Sequence, residues 1–265
     1  MSEPGVRNKA GLRLGGLDQR LRGLARGIAD FCLPPICIFC RTSTDHHGVL
    51  CAACWRQIDF IAPPLCDRLG IPLPYDSGGI TVSAAALANP PAYDRARAVA
   101  RYDGLVRDLI HRLKYGDRQE GIAMFGRWLA QAGFELISYA VFFFHKTLYR
   151  WRLWTRRFNQ SAILAEAMSR VCRVEADAFV LRRARPTRSQ IGLTIEQRKR
   201  NVAGAFQVSK RAKLKITDRK IILVDDVITT GATVEACART LTRAGAARVD
   251  VVVLARVTDT MTIAP

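Results

Sequence analysis

The sequence predicts an α/β fold in which a parallel sheet is flanked by helices and preceded by a small cysteine-rich module. Two apolar runs rich in β-branched residues, 221–224 and 249–254, flank a helical pattern over 231–244. Such largely continuous runs are typical of parallel strands, because helices cover both faces of the sheet that they form. Two pairs of cysteines between residues 37 and 54 lie well before this unit and indicate the separate module.

The length and composition agree with this division. The chain has 265 residues, of which 49% are hydrophobic and 24% charged, and these proportions exclude a largely disordered or collagen-like chain. The length suits one domain of about 200 residues plus a small module. Proline- and glycine-rich stretches divide the sequence, so we expect a mobile basic tail over 1–16, a helix plus cysteine module over 17–75 and the main domain over 90–265.

The spacing of apolar residues predicts the individual elements. Apolar residues recur every three or four positions over 17–31, which favours a helix that ends before Pro34. Thr194 and Gln197 have the spacing of a capping box at the start of a short helix, and Gly245 follows the helix over 231–244. The other predicted elements are helices over 105–115, 120–132 and 161–174, and strands over 137–144, 179–181, 221–224 and 249–254.

The charge of the chain is strongly positive and unevenly distributed. The formal net charge is +18, and the stretch from Arg150 to Lys220 contains 19 basic and 5 acidic residues. A positive field of this density attracts polyanions, which include both phosphate-rich small molecules and nucleic acid.

The N-terminal region and the longest apolar stretch predict a cytoplasmic protein without a membrane span. Arginines interrupt each apolar run near the N-terminus, which argues against a secretory signal. A membrane helix needs about 20 consecutive apolar residues, and the stretch 128–144 is interrupted by polar residues. In the cytoplasm thiols stay reduced, so clustered cysteines more often bind metal than form disulfides.

The cysteines at 37, 40, 51 and 54 form two CxxC pairs separated by ten residues. Each pair can place two sulfurs on one metal ion from a tight turn, and together they complete a tetrahedral shell that suits zinc. Because four sulfurs leave no open position, the predicted role of the zinc is structural. The alternative is a redox dithiol or a set of incidental thiols. The predicted zinc ligands are Cys37, Cys40, Cys51 and Cys54.

A second group of candidate residues follows the apolar strand at 221–224. Two adjacent carboxylates, then a short loop of threonines and a glycine, come before a helix. The free N–H groups and the dipole of a helix start favour a phosphate, and carboxylates accept hydrogen bonds from sugar hydroxyls. The alternative is an ordinary strand-to-helix turn, although two adjacent buried acids are costly without a purpose. The candidate residues are Asp225, Asp226, Thr229, Thr230, Gly231 and Thr233.

The run VDDVITTGAT at 224–233 resembles the phosphoribosyl-pyrophosphate (PRPP) binding motif of type I phosphoribosyltransferases. With the cysteine module before it, the chain resembles the competence protein F family of phosphoribosyltransferase-like proteins. The resemblance includes the segments IHRLKYG at 110–116, RRFNQSAILA at 156–165 and QRKRNVAGAF at 197–206. It implies a type I phosphoribosyltransferase-like fold behind a four-cysteine zinc ribbon.

The resemblance also implies roles for the candidate residues. Asp225 and Asp226 would hold the ribose hydroxyls, the threonine loop would hold the 5-phosphate, and Mg²⁺ would accompany PRPP. The segment Arg185–Asn201 would close over the substrate; the alternative is a solvated basic linker. The chain departs from the family at Tyr139–Arg150, where an apolar run without proline replaces a proline-containing loop that would contact pyrophosphate.

Two classes of function follow from these observations. In the first, the protein is a phosphoribosyltransferase that displaces pyrophosphate from PRPP. This activity would be linked to DNA uptake or to nucleotide salvage. The sequence does not identify the acceptor substrate or the catalytic residues. In the second, it is a non-catalytic competence factor that binds single-stranded nucleic acid, with protein partners of DNA uptake. Basic and aromatic residues alternate over Arg150–Phe158, which is typical of single-strand binding or, alternatively, of a helix start packed in the core.

Overall fold

The computed structural model describes residues 33–115, 120–138, 140, 142–145, 159–177, 180–187 and 192–258. The predicted tail over 1–16, the predicted helix over 17–31 and the basic aromatic segment Arg150–Phe158 lie outside these residues. The helices are α1 (Ala52–Trp55), α2 (Ala84–Ala88), α3 (Gly104–Tyr115), α4 (Ile122–Ala132), α5 (Phe134–Ile137), α6 (Gln160–Cys172), α7 (Ile195–Val202), α8 (Lys210–Ile216) and α9 (Ala232–Arg243). The strands are β1 (Ala96–Arg101), β2 (Phe142–His145), β3 (Glu175–Asp177), β4 (Leu181–Arg183), β5 (Phe206–Val208), β6 (Lys220–Ile228) and β7 (Arg248–Arg256).

A parallel sheet forms the centre of the main domain. Within the described ranges it has five strands in the order β1-β7-β6-β2-β3, and each neighbouring pair is parallel. Successive residues of β6 lie on opposite faces of the sheet. Ile222 and Val224 belong to one buried apolar cluster, and Ile221 and Leu223 belong to another. Burial of both faces explains why residues 221–224 of this strand form an unbroken apolar run.

The structure confirms most predicted elements and corrects the strand over 137–144. The helices predicted over 105–115, 120–132, 161–174 and 231–244 are present, and so is the capping box of Thr194 and Gln197. Ile137 instead belongs to the short helix α5, which packs its buried Leu136 into the core, and the strand begins at Phe142.

Other strands differ from prediction in length or were not predicted. The strand predicted over 221–224 continues to Ile228, because β7 continues to pair with it beyond the acidic residues. The short strand predicted over 179–181 is observed at 181–183, and residue 179 lies outside the described residues. The sequence patterns do not predict β1, β3, β5 and α8. Of these, β1 contains two arginines and three alanines and therefore has a weak apolar signal.

The cysteine module packs directly on α3 and α4. Cys37 and Cys54 belong to the same buried apolar cluster as residues of these two helices. Arg112 of α3 donates a hydrogen bond to the carbonyl oxygen of Phe39 at 2.8 Å, and its guanidinium lies 4.4 Å from the centre of that ring. At Gly48, a Cβ atom would lie 2.1 Å from the carbonyl oxygen of Glu120. The loops that contain the four clustered cysteines are therefore held against the main domain by close contacts.

Ion pairs attach the region after residue 60 to the main domain. Arg97 of β1 is only 6% exposed, and its guanidinium pairs with Asp67 at 2.8 Å and also with Glu135 of α5. Arg68 donates hydrogen bonds to two carbonyl oxygens in the segment before β1. In the part of the chain that the structure describes, no helix is both long and apolar enough to cross a membrane.

Candidate functional site

The four predicted zinc ligands come together in one cluster. The sulfur atoms of Cys37, Cys40, Cys51 and Cys54 all lie within 4.8 Å of one another, with Cys40 Sγ and Cys51 Sγ at 3.5 Å. A tetrahedral zinc ion with Zn–S bonds of about 2.3 Å places its sulfurs about 3.8 Å apart. The cluster therefore fits a structural zinc ion, and its four sulfurs would fill the coordination shell.

The thiol groups of Cys40 and Cys54 differ in pKa. The hydroxyl group of Thr42 lies 3.3 Å from Cys40 Sγ, and hydrogen bonding from Thr42 lowers the pKa of Cys40 to about 6. Burial raises the pKa of the Cys54 thiol. Zinc binding would therefore release a proton from Cys54, as expected where a metal binds a thiolate.

Cys66 lies outside this cluster. It is fully buried, and its sulfur accepts hydrogen bonds from both the N–H and the hydroxyl group of Ser83 at 3.2 Å. Among the residues that the structure describes, the four-cysteine cluster is the one group of three or more cysteine, histidine or acidic side chains that is close enough to hold a metal ion. Cys66 and Ser83 therefore form a hydrogen-bonded pair in the part of the module that follows the four clustered cysteines.

The acidic pair lies near the end of β6, buried between two helices. Asp225 is 4% and Asp226 is 6% exposed. The hydroxyl group of Ser161, at the start of α6, donates to Asp225 Oδ1 at 2.7 Å. Lys114, at the end of α3, places its Nζ atom 2.6 Å from Asp226 Oδ2. Each carboxylate therefore has a named partner from a different helix.

The acidic pair and the threonine loop line the same pocket. The pocket has a volume of about 160 Å³ and is lined by Lys114 and by residues 225–234, which include all six candidate residues. Gly231 has a φ of 76°, a conformation that strongly favours glycine, and α9 begins at the next residue. The backbone thus turns sharply, so that the start of a helix faces a pocket whose other wall is acidic. This arrangement suits a ligand with a phosphate at one end and hydroxyl groups at the other.

Comparison with known proteins finds the same two parts. The family model described as a double zinc ribbon domain matches residues 28–85, and the model described as a phosphoribosyl transferase domain matches residues 159–261. The DNA utilization protein YhgH of Escherichia coli (strain K12) is 33% identical over 84% of this chain and 98% of that protein. Competence protein F of Haemophilus influenzae is 27% identical over 83% of this chain and 96% of that protein.

This chain belongs to the competence protein F family. The predicted fold class is confirmed, since a helix-flanked parallel sheet follows a four-cysteine cluster and the two family models cover these parts. One solved structure, a glutamine PRPP amidotransferase from B. subtilis complexed with ADP and GMP, matches 54% of this family member and 30% of its own chain. Its sequence identity is 18% and its TM-score is 0.37.

Three polar residues of this competence protein F family member were not singled out from the sequence. Lys114 and Ser161 contact the acidic pair, and Gln160 donates from Nε2 to the carbonyl oxygen of Lys114 at 3.2 Å. All three lie in segments that carry the family resemblance, IHRLKYG and RRFNQSAILA. Their presence in those segments was the available signal, but their contacts depend on how the complete fold brings the end of α3 and the start of α6 to the acidic end of β6.

In the described part of the predicted closing segment of this family member, Arg198 reaches the pocket. Arg198 of α7 donates from Nη1 to Thr229 Oγ1 at 3.3 Å and from Nε to the carbonyl oxygen of Leu193 at 3.0 Å. Arg185 donates to the carbonyl oxygens of Asn201 and Ala203, which connects the two ends of the segment. Residues 188–191 lie outside the described residues.

Proposed function

We propose that this phosphoribosyltransferase-like protein binds PRPP or a ribose 5-phosphate ligand in the pocket of the acidic pair. The observation that carries the proposal is the shared pocket itself, in which buried Asp225 and Asp226 face the threonine loop at the start of α9. The carboxylates would accept hydrogen bonds from the ribose hydroxyls. The threonine hydroxyls and the N–H groups at the helix start would bind the 5-phosphate.

Catalysis would require positioning and charge stabilisation rather than a covalent nucleophile. Transfer of the phosphoribosyl group passes through a state with positive charge on the sugar, which adjacent carboxylates stabilise. Arg198 would orient the loop through Thr229 as the segment 185–201 closes over the pocket. When bound, Mg²⁺ would neutralise charge on the leaving pyrophosphate.

The residues of the pocket fit a Mg²⁺ ion that arrives with PRPP. Carboxylate oxygens are suitable ligands, and Mg²⁺ is usually bound by one or two carboxylates together with substrate phosphates. Asp226 pairs with Lys114 and Asp225 accepts a hydrogen bond from Ser161, so both carboxylates of the pocket already have partners. The two acids would therefore contact the Mg²⁺–PRPP complex rather than hold the ion alone.

We expect ribose 5-phosphate to bind within about tenfold of PRPP, a difference of about 1.4 kcal/mol or less. The threonine loop is part of the pocket, and β2 is present in the sheet at 142–145. The proline-containing loop that would contact pyrophosphate is replaced over Tyr139–Arg150, most of which lies outside the described residues. Titration calorimetry with both ligands, with Mg²⁺ present, measures this difference. PRPP binding several hundredfold tighter than ribose 5-phosphate would show that the replaced loop still binds pyrophosphate.

A second candidate function is the binding of single-stranded nucleic acid, proposed for a different surface. Trp55 is 46% exposed, and its ring lies 5.0 Å from that of Phe60 and 5.5 Å from that of Trp128. A supported, exposed indole ring on a basic protein is suited to stacking with a base. The name of the relative, a DNA utilization protein, agrees with such a partner.

The substitution Trp55→Ala tests this second candidate. A stacked base contributes about 1–3 kcal/mol, so loss of the ring should weaken binding of a single-stranded oligonucleotide by at least about fivefold. Fluorescence anisotropy measures the affinity, and Phe134→Ala is the control because Phe134 is 76% exposed outside the aromatic cluster. Equal affinity of the Trp55→Ala variant and the unchanged protein would remove Trp55 from the nucleic-acid surface.

A further inference from the structure

We propose that the cysteine module controls ligand binding in the pocket, because Arg112 connects the first pair of cysteines to the last turn of α3. The inference rests on the proposed function of the pocket. It goes beyond that function by making the zinc site and the pocket two coupled sites. Zinc in the module would strengthen ligand binding, and a ligand in the pocket would strengthen zinc binding.

The guanidinium group of Arg112 contacts a single short turn of the module. It donates hydrogen bonds to the carbonyl oxygen of Phe39 at 2.8 Å and to that of Ile38 at 3.3 Å, and it lies 4.4 Å from the centre of the Phe39 ring. Both residues stand between Cys37 and Cys40, two of the four clustered cysteines. A zinc ion bound by these two sulfurs would fix the turn that presents the carbonyl oxygens to Arg112.

The module also contacts the backbone just before α4. Gly48 lies so close to Glu120 that a Cβ atom at Gly48 would be 2.1 Å from the Glu120 carbonyl oxygen. A Cβ atom at Gly121 would be 2.8 Å from Cδ1 of Ile38. The module therefore contacts the chain on both sides of residues 116–119, which lie outside the described residues. The end of α3 is held at Arg112, and the start of α4 is held by these close backbone contacts.

The last turn of α3 extends from these contacts to the pocket. Lys114 follows Arg112 by two residues and lines the pocket, where its Nζ atom lies 2.6 Å from Asp226 Oδ2. The carbonyl oxygen of Lys114 accepts a hydrogen bond from Gln160, at the start of α6. One helical turn therefore contacts the module through Arg112 and the pocket through Lys114.

The last turn of α3 is the element that both sites would stabilise. The ends of helices open more readily than their centres. When zinc fixes the first cysteine turn, Arg112 keeps its hydrogen-bond acceptors and its ring contact, so the last turn of α3 stays closed. A ligand that contacts Lys114 or Asp226 stabilises the same closed turn from the pocket. Because coupling between two binding sites is reciprocal, each would strengthen the other by the same factor.

The substitution Arg112→Met tests this connection in full-length protein that keeps its zinc. We expect one zinc per chain, ribose 5-phosphate binding that is weaker by at least about fivefold, and faster amide hydrogen exchange over residues 112–115. Elemental analysis, calorimetry and mass spectrometry measure these three quantities. Loss of zinc from the variant would show that Arg112 stabilises the module itself, which would overturn its role as a connection.

Arg101→Met is the matched control. Arg101 also connects the module to the main domain, through Asp59 at 2.9 Å, but it lies at the end of β1 and does not line the pocket. The Arg101→Met variant should bind ribose 5-phosphate like the unchanged protein and should keep slow exchange over residues 112–115. Equal weakening of ligand binding in both variants would show a general loosening of the module and would overturn the specific role of Arg112.

Reciprocity provides a second measurement, the rate at which a chromogenic chelator removes zinc. Ribose 5-phosphate should slow zinc removal from the unchanged protein and from the Arg101→Met variant, and it should slow removal much less from the Arg112→Met variant. If the ligand slows removal equally in both variants, it acts through the overall stability of the chain rather than through α3. That result would overturn the inference.

Failure of the inference and failure of the proposed function give different results. If the unchanged protein binds ribose 5-phosphate and the zinc-loaded Arg112→Met variant binds it equally well, the coupling is wrong and the proposed pocket remains. If the unchanged protein binds neither ribose 5-phosphate nor PRPP, the proposed function is wrong and the coupling is wrong with it.

Discussion

Replacement of both Asp225 and Asp226 by Asn should weaken ribose 5-phosphate binding by about thirtyfold to two-hundredfold while the protein stays folded. Hydrogen bonds to a charged acceptor contribute more than those to a neutral one, and the loss of two such acceptors amounts to about 2–3 kcal/mol. The fold should persist, because Asn Oδ1 can still accept the hydrogen bonds from Ser161 and from the backbone that Asp Oδ1 accepts now. Calorimetry gives the affinity and thermal unfolding gives the Tm.

Asp250 provides the matched control for this double variant. It is 2% exposed on β7, adjacent to β6 in the sheet, and it pairs with Arg248 at 2.9 Å rather than lining the pocket. Burial raises the pKa of its carboxyl group, and Arg248 partly opposes this effect. The Asp250→Asn variant should bind ribose 5-phosphate like the unchanged protein. If the Asp225→Asn/Asp226→Asn variant unfolds, the acids have a structural role, and if it binds normally, the ligand does not need them. Either result removes the main support of the proposed pocket.

Removal of zinc should destabilise the whole chain and not only the cysteine module. A structural zinc site contributes about 10–16 kcal/mol in small zinc domains, which is comparable to the total stability of a typical protein. Cys37 and Cys54 share one apolar cluster with Leu109 and Phe125 of the main domain. Loss of the metal would therefore loosen the packing of α3 and α4 as well as that of the cysteine loops.

The double variant Cys51→Ser/Cys54→Ser tests the zinc site. Elemental analysis should find one zinc per chain in the unchanged protein and almost none in the variant, and the Tm of the variant should fall sharply. Cys66→Ser is the control, because Cys66 lies outside the cluster and should not affect the zinc content. The site is disproved if protein purified without a chelator contains no zinc, or if the double variant keeps a full equivalent.

Local sequence patterns were sufficient for the fold class, for most long helices and for the grouping of the candidate residues. The CxxC pairs form tight turns, so the two sulfurs of each pair are close whatever the rest of the chain does. The candidate residues of the pocket are also close together in sequence. Asp225, Asp226 and the threonines lie within nine consecutive residues, at the end of a strand, in a loop and at the start of a helix. Apolar periodicity located α3, α4, α6 and α9 for the same reason, since each pattern is complete within its own segment.

Tertiary packing decided what surrounds these groups. Lys114 and Ser161 are distant in sequence from the acidic pair, and they reach it only because α3 and α6 pack at the same end of β6. The local sequence of α3 or of α6 does not show which polar residue will contact a carboxylate. The carboxylates lie on β6, which comes much later in the chain. The strand β1 was missed because its burial comes from β7 and from the cysteine module rather than from its own composition. Contacts between distant segments depend on the complete fold, whereas turns and helix faces depend on neighbouring residues.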